Sequence, residues 1–216
     1  MSMCASERSY KINEIFYSLQ GEGVRTGTAN VFVRFSGCNL QCNGTVEGEA
    51  YQPVCDTEFL SNTKMTAAQI VEKSLLAMGD GAARVDHRWV IFTGGEPSIQ
   101  LDTALIDAFK AAKFKLAIET NGTHALPDGI DWITVSPKTA EHTLKQLTAH
   151  EVKYVRYPNM GLPKTVIKAE HYLLSPAFDA NGVLTPDNLN WCLNLTKQDP
   201  KWRLSVQLHK IVYRVR

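Results

Sequence analysis

The chain has 216 residues, 44% hydrophobic and 21% charged, which is enough for one domain with a substantial core and is the balance of an ordinary globular protein. Its 23 basic and 22 acidic residues leave a formal net charge of +1, which argues against nucleic acid or an anionic membrane as the main partner. With no apolar run of about 18 residues and no signal-peptide apolar region at the start, no membrane span is expected and a reduced, cytoplasmic setting is.

Residues 31–36 form a short β-rich run. A helix is predicted over 65–79: Thr66 and Gln69 fit a capping box, Ala67, Ile70, Val71, Leu75 and Met78 make one apolar face, and Gly79 stands at the stop. Residues 89–93 read as a buried strand, 101–113 as a helix with Leu105, Ile106 and Phe109 inward, and 115–119 and 132–136 as strands. Then come a helix over 140–149, strands over 153–157 and 171–174, a helix from Thr185 and Pro186 to about Lys197, and a last strand over 203–209. Strands alternating with helices call for a parallel sheet with helices outside. The expected fold class is α/β, an incomplete open (β/α) barrel of about six parallel strands, short of the eight of a full barrel. It is expected as a single domain over 1–216 with a cluster-binding loop at about 37–57. In such a sheet, ligands gather at the C-terminal strand ends.

Cys38, Cys42 and Cys55 are the most informative residues. Three thiolates satisfy three irons of a [4Fe–4S] cluster and leave the fourth open for chemistry. Zinc with a histidine as fourth ligand is the alternative, although no second cysteine knuckle exists and the first histidine beyond Cys55 is His87. A disulfide plus a free thiol fits less well with five cysteines and nothing to mark secretion. Cys4 lies in a polar stretch, and Cys192, between Trp191 and Leu193, reads as a small buried hydrophobe. In Thr93-Gly94-Gly95-Glu96-Pro97 two glycines at a strand end let a ligand approach the backbone; taken alone, the segment reads equally as a tight turn. Glu119-Thr120-Asn121-Gly122 and Ser136-Pro137-Lys138 end the next two strands, so the polar segments collect at one rim. Glu119 ends an apolar strand and needs a partner, either a ligand or a local cation. Arg34 can fork onto a ligand carboxylate or pair with a surface acid, and His209 fits either a site or the core.

Gly37-Cys38-Asn39-Leu40-Gln41-Cys42, Cys55-Asp56-Thr57 and the glycine turn resemble the radical S-adenosylmethionine superfamily. Ser18-Leu19-Gln20-Gly21-Glu22-Gly23, Arg34, the segments at Glu119 and Ser136, and Val206-Gln207-Leu208-His209-Lys210 narrow the resemblance to the 7-carboxy-7-deazaguanine synthase family. The matches run from residue 13 to residue 210. The resemblance implies a radical S-adenosylmethionine core in which Cys38, Cys42 and Cys55 hold the cluster. Val54, Asp56, Gly95, Ser136 and Lys138 would contact S-adenosylmethionine, and Thr57 would ligate Mg²⁺. Leu19, Gln20, Gly21, Glu22, Arg34, Thr93, Glu119, Asn121 and His209 would bind 6-carboxy-5,6,7,8-tetrahydropterin. A 5′-deoxyadenosyl radical would take hydrogen from its C6, and ring contraction with loss of ammonia would give 7-carboxy-7-deazaguanine, a step of queuosine and 7-deazapurine biosynthesis. An electron donor such as flavodoxin and a homodimer are also implied.

Three features depart from the family pattern. The family usually spaces its cysteines Cys-x3-Cys-x2-Cys, whereas twelve residues, 43–54, separate Cys42 from Cys55 here. This reads as an insertion in the cluster loop, tolerable because loop closure grows slowly in cost with length. Leu174-Ser175-Pro176 stands where Gln-Pro is common, and Tyr213-Arg214-Val215-Arg216 ends the chain in place of Gly-x-Pro. Two other classes share part of the pattern. A glycyl-radical-enzyme activase has the cysteine loop and the glycine turn, but acts on a protein and gives residues 20–23 no role. A non-enzymatic zinc or iron–sulfur protein would use residues 93–97 only as a turn.

Overall fold

Apolar alternation fixes the first strand pair. In β1 (Ser9–Leu19) Tyr10 and Ile12 are buried, and in β2 (Ala29–Phe35) Val31, Val33 and Phe35 are fully buried. The residues between them face the other side of the sheet, where Glu14 lies across from Arg34 and Phe16 from Phe32, the two rings stacking at 5.1 Å. The computed structural model describes residues 8–43, 46–47, 50–51, 55, 60–179 and 181–213. Within the cluster loop β3 (Val46–Glu47) and β4 (Ala50–Tyr51) pair as a short antiparallel hairpin.

Seven strands run parallel: β2, then, after β5 (Thr63–Thr66), β6 (Trp89–Gly94), β7 (Lys115–Thr120), β8 (Trp132–Val135), β9 (Thr148–Arg156), β10 (Lys168–Pro176) and β11 (Trp202–Leu204). β1 and β5 add antiparallel partners, giving the nine-stranded order β11-β10-β9-β8-β7-β6-β2-β1-β5. The expectation of about six parallel strands is therefore corrected to an open mixed sheet. β1 escapes the alternation rule because a register shift between Ile12 and Glu14 breaks its period and polar side chains line its inner face.

Three helices cover the outside. Thr66 and Gln69 close the capping box of α1 (Ala67–Met78), Asp102 caps α2 (Thr103–Ala111) through the Leu105 N–H, and Thr185 caps α3 (Pro186–Gln198). Phe35, Phe92, Phe109 and Phe114 form an edge-to-face chain at centroid spacings of 6.0, 5.3 and 5.2 Å, in a core that α1 and α2 cover. Each such buried ring contributes about 1.5–3 kcal/mol by transfer from water. Tyr154, Leu174, Leu195 and Trp202 lead a second cluster on the α3 side. No helix among the described residues is long and apolar enough to cross a membrane.

Two predicted elements are overturned. Of residues 140–149, Glu141–Thr143 form a 3-10 turn and the last two already open β9, because the polar groups of the segment have distant partners. The Glu141 carboxylate accepts from the Val166 N–H at 2.9 Å and from the Tyr154 hydroxyl, while the Lys145 and Gln146 N–H groups donate to the Gly122 carbonyl. The last strand stops at Leu204: the Ser205 N–H still bonds the Leu174 carbonyl, after which the chain leaves the sheet for a π-helical turn, His209–Tyr213.

Candidate active site

The turns after β2, β6, β7 and β8 meet at one rim of the sheet. Gly94 has φ of 104°, a conformation that suits glycine, and the Gly95 and Glu96 N–H groups donate to the Phe35 and Gly37 carbonyls, each at 2.9 Å. A Cβ on Gly95 would lie 2.0 Å from the Gly37 oxygen, so the glycine pair lets this turn press against the backbone that leads into Cys38. The Glu96 carboxylate, 1% exposed, accepts from the Ser98 N–H (3.0 Å), the Thr120 hydroxyl (2.6 Å) and the Asn121 N–H (2.7 Å), joining the β6 turn to the β7 turn. Asn121 extends the join: its amide donates to Asn39 at 3.1 Å, and its oxygen accepts from the Thr123 N–H and hydroxyl. The cysteine loop is thus held from two sides.

Cys38 and Cys42 are half-buried and Cys55 is exposed. Burial pushes the Cys38 and Cys42 thiols up; Glu96 and Cys55 add to this at Cys38, and the Lys138 charge opposes it at Cys42. The three thiols lie near enough to feel one another's charge, yet among the described residues no three His, Cys, Asp or Glu side chains converge on a single ion. Three soft thiolates suit an iron–sulfur centre as ligands. Lys138 donates to the Ser136 hydroxyl at 2.7 Å, and burial, with Lys153 adding, brings its pKa down to about 8.

A cavity of about 630 Å³ opens inside the sheet. The loop from Gln20 to Thr28 crosses it and ties the far edges of the sheet together. The Gln20 side chain donates to Glu119 Oε1 at 2.8 Å, the Gly23 N–H to the Ser205 hydroxyl at 2.9 Å and the Val24 N–H to Glu151 at 2.9 Å. The Gly21 carbonyl accepts from the Leu208 N–H at 2.9 Å. Gly21 leaves room for the His209 ring, 2.1 Å from where a Cβ would stand. Glu22 takes Lys153 on one oxygen and Gln207 (2.9 Å) on the other. Burial alone would raise the Glu22 carboxyl; the Lys153 charge and hydrogen bond, with Gln207, outweigh it and hold the group well below the usual carboxylate range. Glu119 moves the other way: burial pushes it up, and Glu22 and Glu151 add to this against Lys153 and Gln20.

Leu19, Gln20, Gly21, Glu22, Arg34, Thr93, Glu119 and His209 all line this cavity. Asn121 does not, its side chain being engaged at the cysteine loop. Arg34 donates to Glu14 at 2.5 Å, so a cavity neighbour takes the part of the surface acid. Val54, Asp56 and Thr57, and Cys4, lie outside the described residues. Cys192 is fully buried, as expected. Sequence reasoning quoted Gln207 only within a motif, with no role at the site, and missed Glu14 and Lys153. The last had a signal, a lysine between the apolar residues of a strand.

Residues 19–152 match the 4Fe-4S single cluster domain family. The 7-carboxy-7-deazaguanine synthase of Bacteroides thetaiotaomicron is 43% identical over 203 residues, covering 94% of this chain and 97% of that protein. That of Bradyrhizobium diazoefficiens is 39% identical over 208 residues, with the same coverage. The chain belongs to the 7-carboxy-7-deazaguanine synthase family. The crystal structure of QueE from Escherichia coli is similar with a TM-score of 0.63 and 25% identity, covering 93% of this chain and 95% of that one.

Proposed function

We propose that the chain is a single-domain lyase that converts 6-carboxy-5,6,7,8-tetrahydropterin to 7-carboxy-7-deazaguanine with loss of ammonia. The observation that carries the reading is one cavity in which Gln20, Glu22 and Glu119 share the wall with Arg34 and with Thr93 of the turn packed on the cysteine loop. A pterin's amino-pyrimidinone edge presents N–H donors, and Glu22, Glu119 and Gln20 supply acceptors for them. Arg34, steadied on one nitrogen by Glu14, turns its other N–H groups to a carboxylate. Phe16 and Phe32 give the cavity an apolar wall that excludes water from one side of the ring. Cys38, Cys42 and Cys55 hold the [4Fe–4S] cluster. The backbone at Gly95, the Ser136–Lys138 pair and residues Val54 and Asp56 hold S-adenosylmethionine. When bound, these groups supply the 5′-deoxyadenosyl radical that starts reaction at the pterin. Thr57 offers a hydroxyl oxygen to Mg²⁺, a hard cation that keeps positions for substrate oxygens. An electron donor such as flavodoxin, a homodimer and a cytoplasmic setting belong to the same reading.

The activase and zinc readings fall away, since relatives aligned over 94% of the chain carry the synthase name. The test is anaerobic: protein reconstituted with iron and sulfide, reduced, and given S-adenosylmethionine, Mg²⁺ and 6-carboxytetrahydropterin. Mass spectrometry should find 7-carboxy-7-deazaguanine. 5′-Deoxyadenosine without that product would discard the substrate, and neither compound would discard the reaction.

A further inference from the structure

Lys153 is a charged residue where β9 has little room for one. Its strand neighbours Val152 and Tyr154 are fully buried, and it is itself only 7% exposed. A lysine so placed needs an anion. Its ammonium donates to Glu22 Oε2. From there a chain of polar contacts crosses the sheet: the Glu22 N–H donates to Gln20 Oε1 at 3.2 Å, and Gln20 Nε2 donates to Glu119 Oε1 at 2.8 Å. Every member beyond Lys153 lines the cavity. The charges that act on the ammonium are Glu22 from the 20–28 loop, Glu119 from β7, Glu151 on its own strand and Lys138 after β8; Arg25 acts in turn on Glu119 and Glu151, and His209 on Glu22. Three carboxylates from three elements therefore act on one ammonium, which Glu22 contacts directly.

We propose that Lys153 is a positioning residue for the pterin: it holds Glu22 as a fixed, ionised acceptor and, through Gln20, sets the angle at which Glu119 meets the ring. This rests on the substrate reading above. Two carboxylates in one low-dielectric cavity cannot both stay ionised without a cation between them. Without Lys153 a proton would settle on Glu22 or Glu119, and a protonated acceptor presents a donor to the donor edge of the substrate. Glu22, the group that Lys153 holds low, would rise most. Its acceptor would then be lost as the pH falls and regained as the pH rises.

The test compares wild type, Lys153→Met, Lys153→Arg, Glu22→Gln and the double variant Lys153→Met with Glu22→Gln. All are reconstituted with iron and saturated with S-adenosylmethionine. The readouts are iron per chain and the affinity for 6-carboxypterin, a non-reacting analogue, by equilibrium dialysis at several values between about pH 6 and 8.5. Lys153→Met should bind roughly ten- to a hundredfold more weakly at the acid end, the scale of one lost charge-assisted hydrogen bond, and the deficit should shrink as pH rises. The ratio of Lys153→Arg to wild-type affinity should vary little with pH, whatever Glu119 and Lys138 contribute to both, and iron per chain should be unchanged in all. A Lys153→Met affinity equal to wild type, or a deficit independent of pH, would overturn the proposal. Should Lys153→Met fail to fold, Glu22→Gln and the double variant decide. Affinities within about threefold of each other mean that Lys153 acts through Glu22, and a further loss of about tenfold means that it does not. A wild-type protein that neither binds the analogue nor turns over the tetrahydropterin sinks the substrate reading itself. One that does both, beside an unaffected Lys153→Met, sinks only this inference.

Discussion

Replacing Gly95 by alanine strikes the shelf that carries the cysteine loop. The added Cβ would stand 2.0 Å from the Gly37 carbonyl oxygen and 2.7 Å from its carbon, where real contacts do not fall below 3.0 Å. One backbone must therefore retreat by about 1 Å, and because both sides are main chain no rotamer change relieves the clash. The Gly95 and Glu96 N–H bonds to Phe35 and Gly37, each 2.9 Å, would stretch beyond useful length. Two such bonds are worth about 1–3 kcal/mol together, and overpacking strain adds about 1–3 kcal/mol. The sum, about 2–6 kcal/mol, is a large part of a typical total stability of about 5–15 kcal/mol. For a chain of this size, at about 2–4 °C per kcal/mol, it should lower the melting temperature by about 4–24 °C. Because Cys38 follows Gly37 directly, iron per chain after reconstitution should fall as well. Gly161→Ala, with nothing within 4 Å of the new atom, is the control and should change neither. A Gly95→Ala protein with wild-type melting temperature and iron content would refute the reasoning.

Cys55→Ala should abolish iron loading, whereas Cys192→Ala should leave it intact at a cost of about 1 kcal/mol for a small void, read by iron assay and urea unfolding. Burial pushes the Cys192 thiol up to about 12, so near pH 8 a thiol reagent should label Cys38, Cys42 and Cys55 in the iron-free protein and reach Cys192 only on unfolding. Arg34→Ala should raise KM for the pterin roughly ten- to a hundredfold while 5′-deoxyadenosine still forms without product; failure to load iron would make Arg34 structural instead. Glu22 has a folded pKa of about 2 against an ordinary 4.5. The stability that this depressed pKa supplies is complete above 4.5 and is lost as the pH falls toward 2. Urea midpoints of Glu22→Gln should therefore fall less steeply than wild type below about pH 4.5, and parallel slopes would contradict the Lys153–Glu22 pairing.

Helices α1 and α3 were legible because their starts rest on local chemistry: Thr66 with Gln69, and Thr185 before Pro186, act within one turn of chain. Residues 140–149 misled for the opposite reason, since Glu141 answers to Val166 and Tyr154 and the composition of the segment cannot report partners that far away. β1 was hidden by its own function: Asn13, Glu14 and Phe16 line the cavity, and the irregular register breaks the period on which a strand is read. At the site, Leu19, Gln20, Gly21, Glu22, Arg34, Thr93, Glu119 and His209 share one cavity, whereas Asn121 does not, its polar amide reading the same whether it meets a ligand or braces a loop, and Val54, Asp56 and Thr57 lie outside the described residues. Gln207 and Lys153 entered through partners 185 and 131 residues away, a separation that no local pattern encodes.

Those separations also order events during synthesis. The hydrogen bonds from the Gly95, Glu96, Asn121 and Thr123 turns onto the cysteine loop join residues between Phe35 and Thr123, so this shelf can take shape while the last third of the chain is still in the ribosome, although β4 later packs on β9. The wall that receives Glu22 needs Lys153, Ser205, Gln207 and Leu208, the last of which arrive almost at termination. Until then the 20–28 loop has no far side to join, and its buried carboxylate must wait in water. Non-local contacts of this kind form late in folding, so a nascent chain can present its thiolates for iron before it has a pocket to use them on.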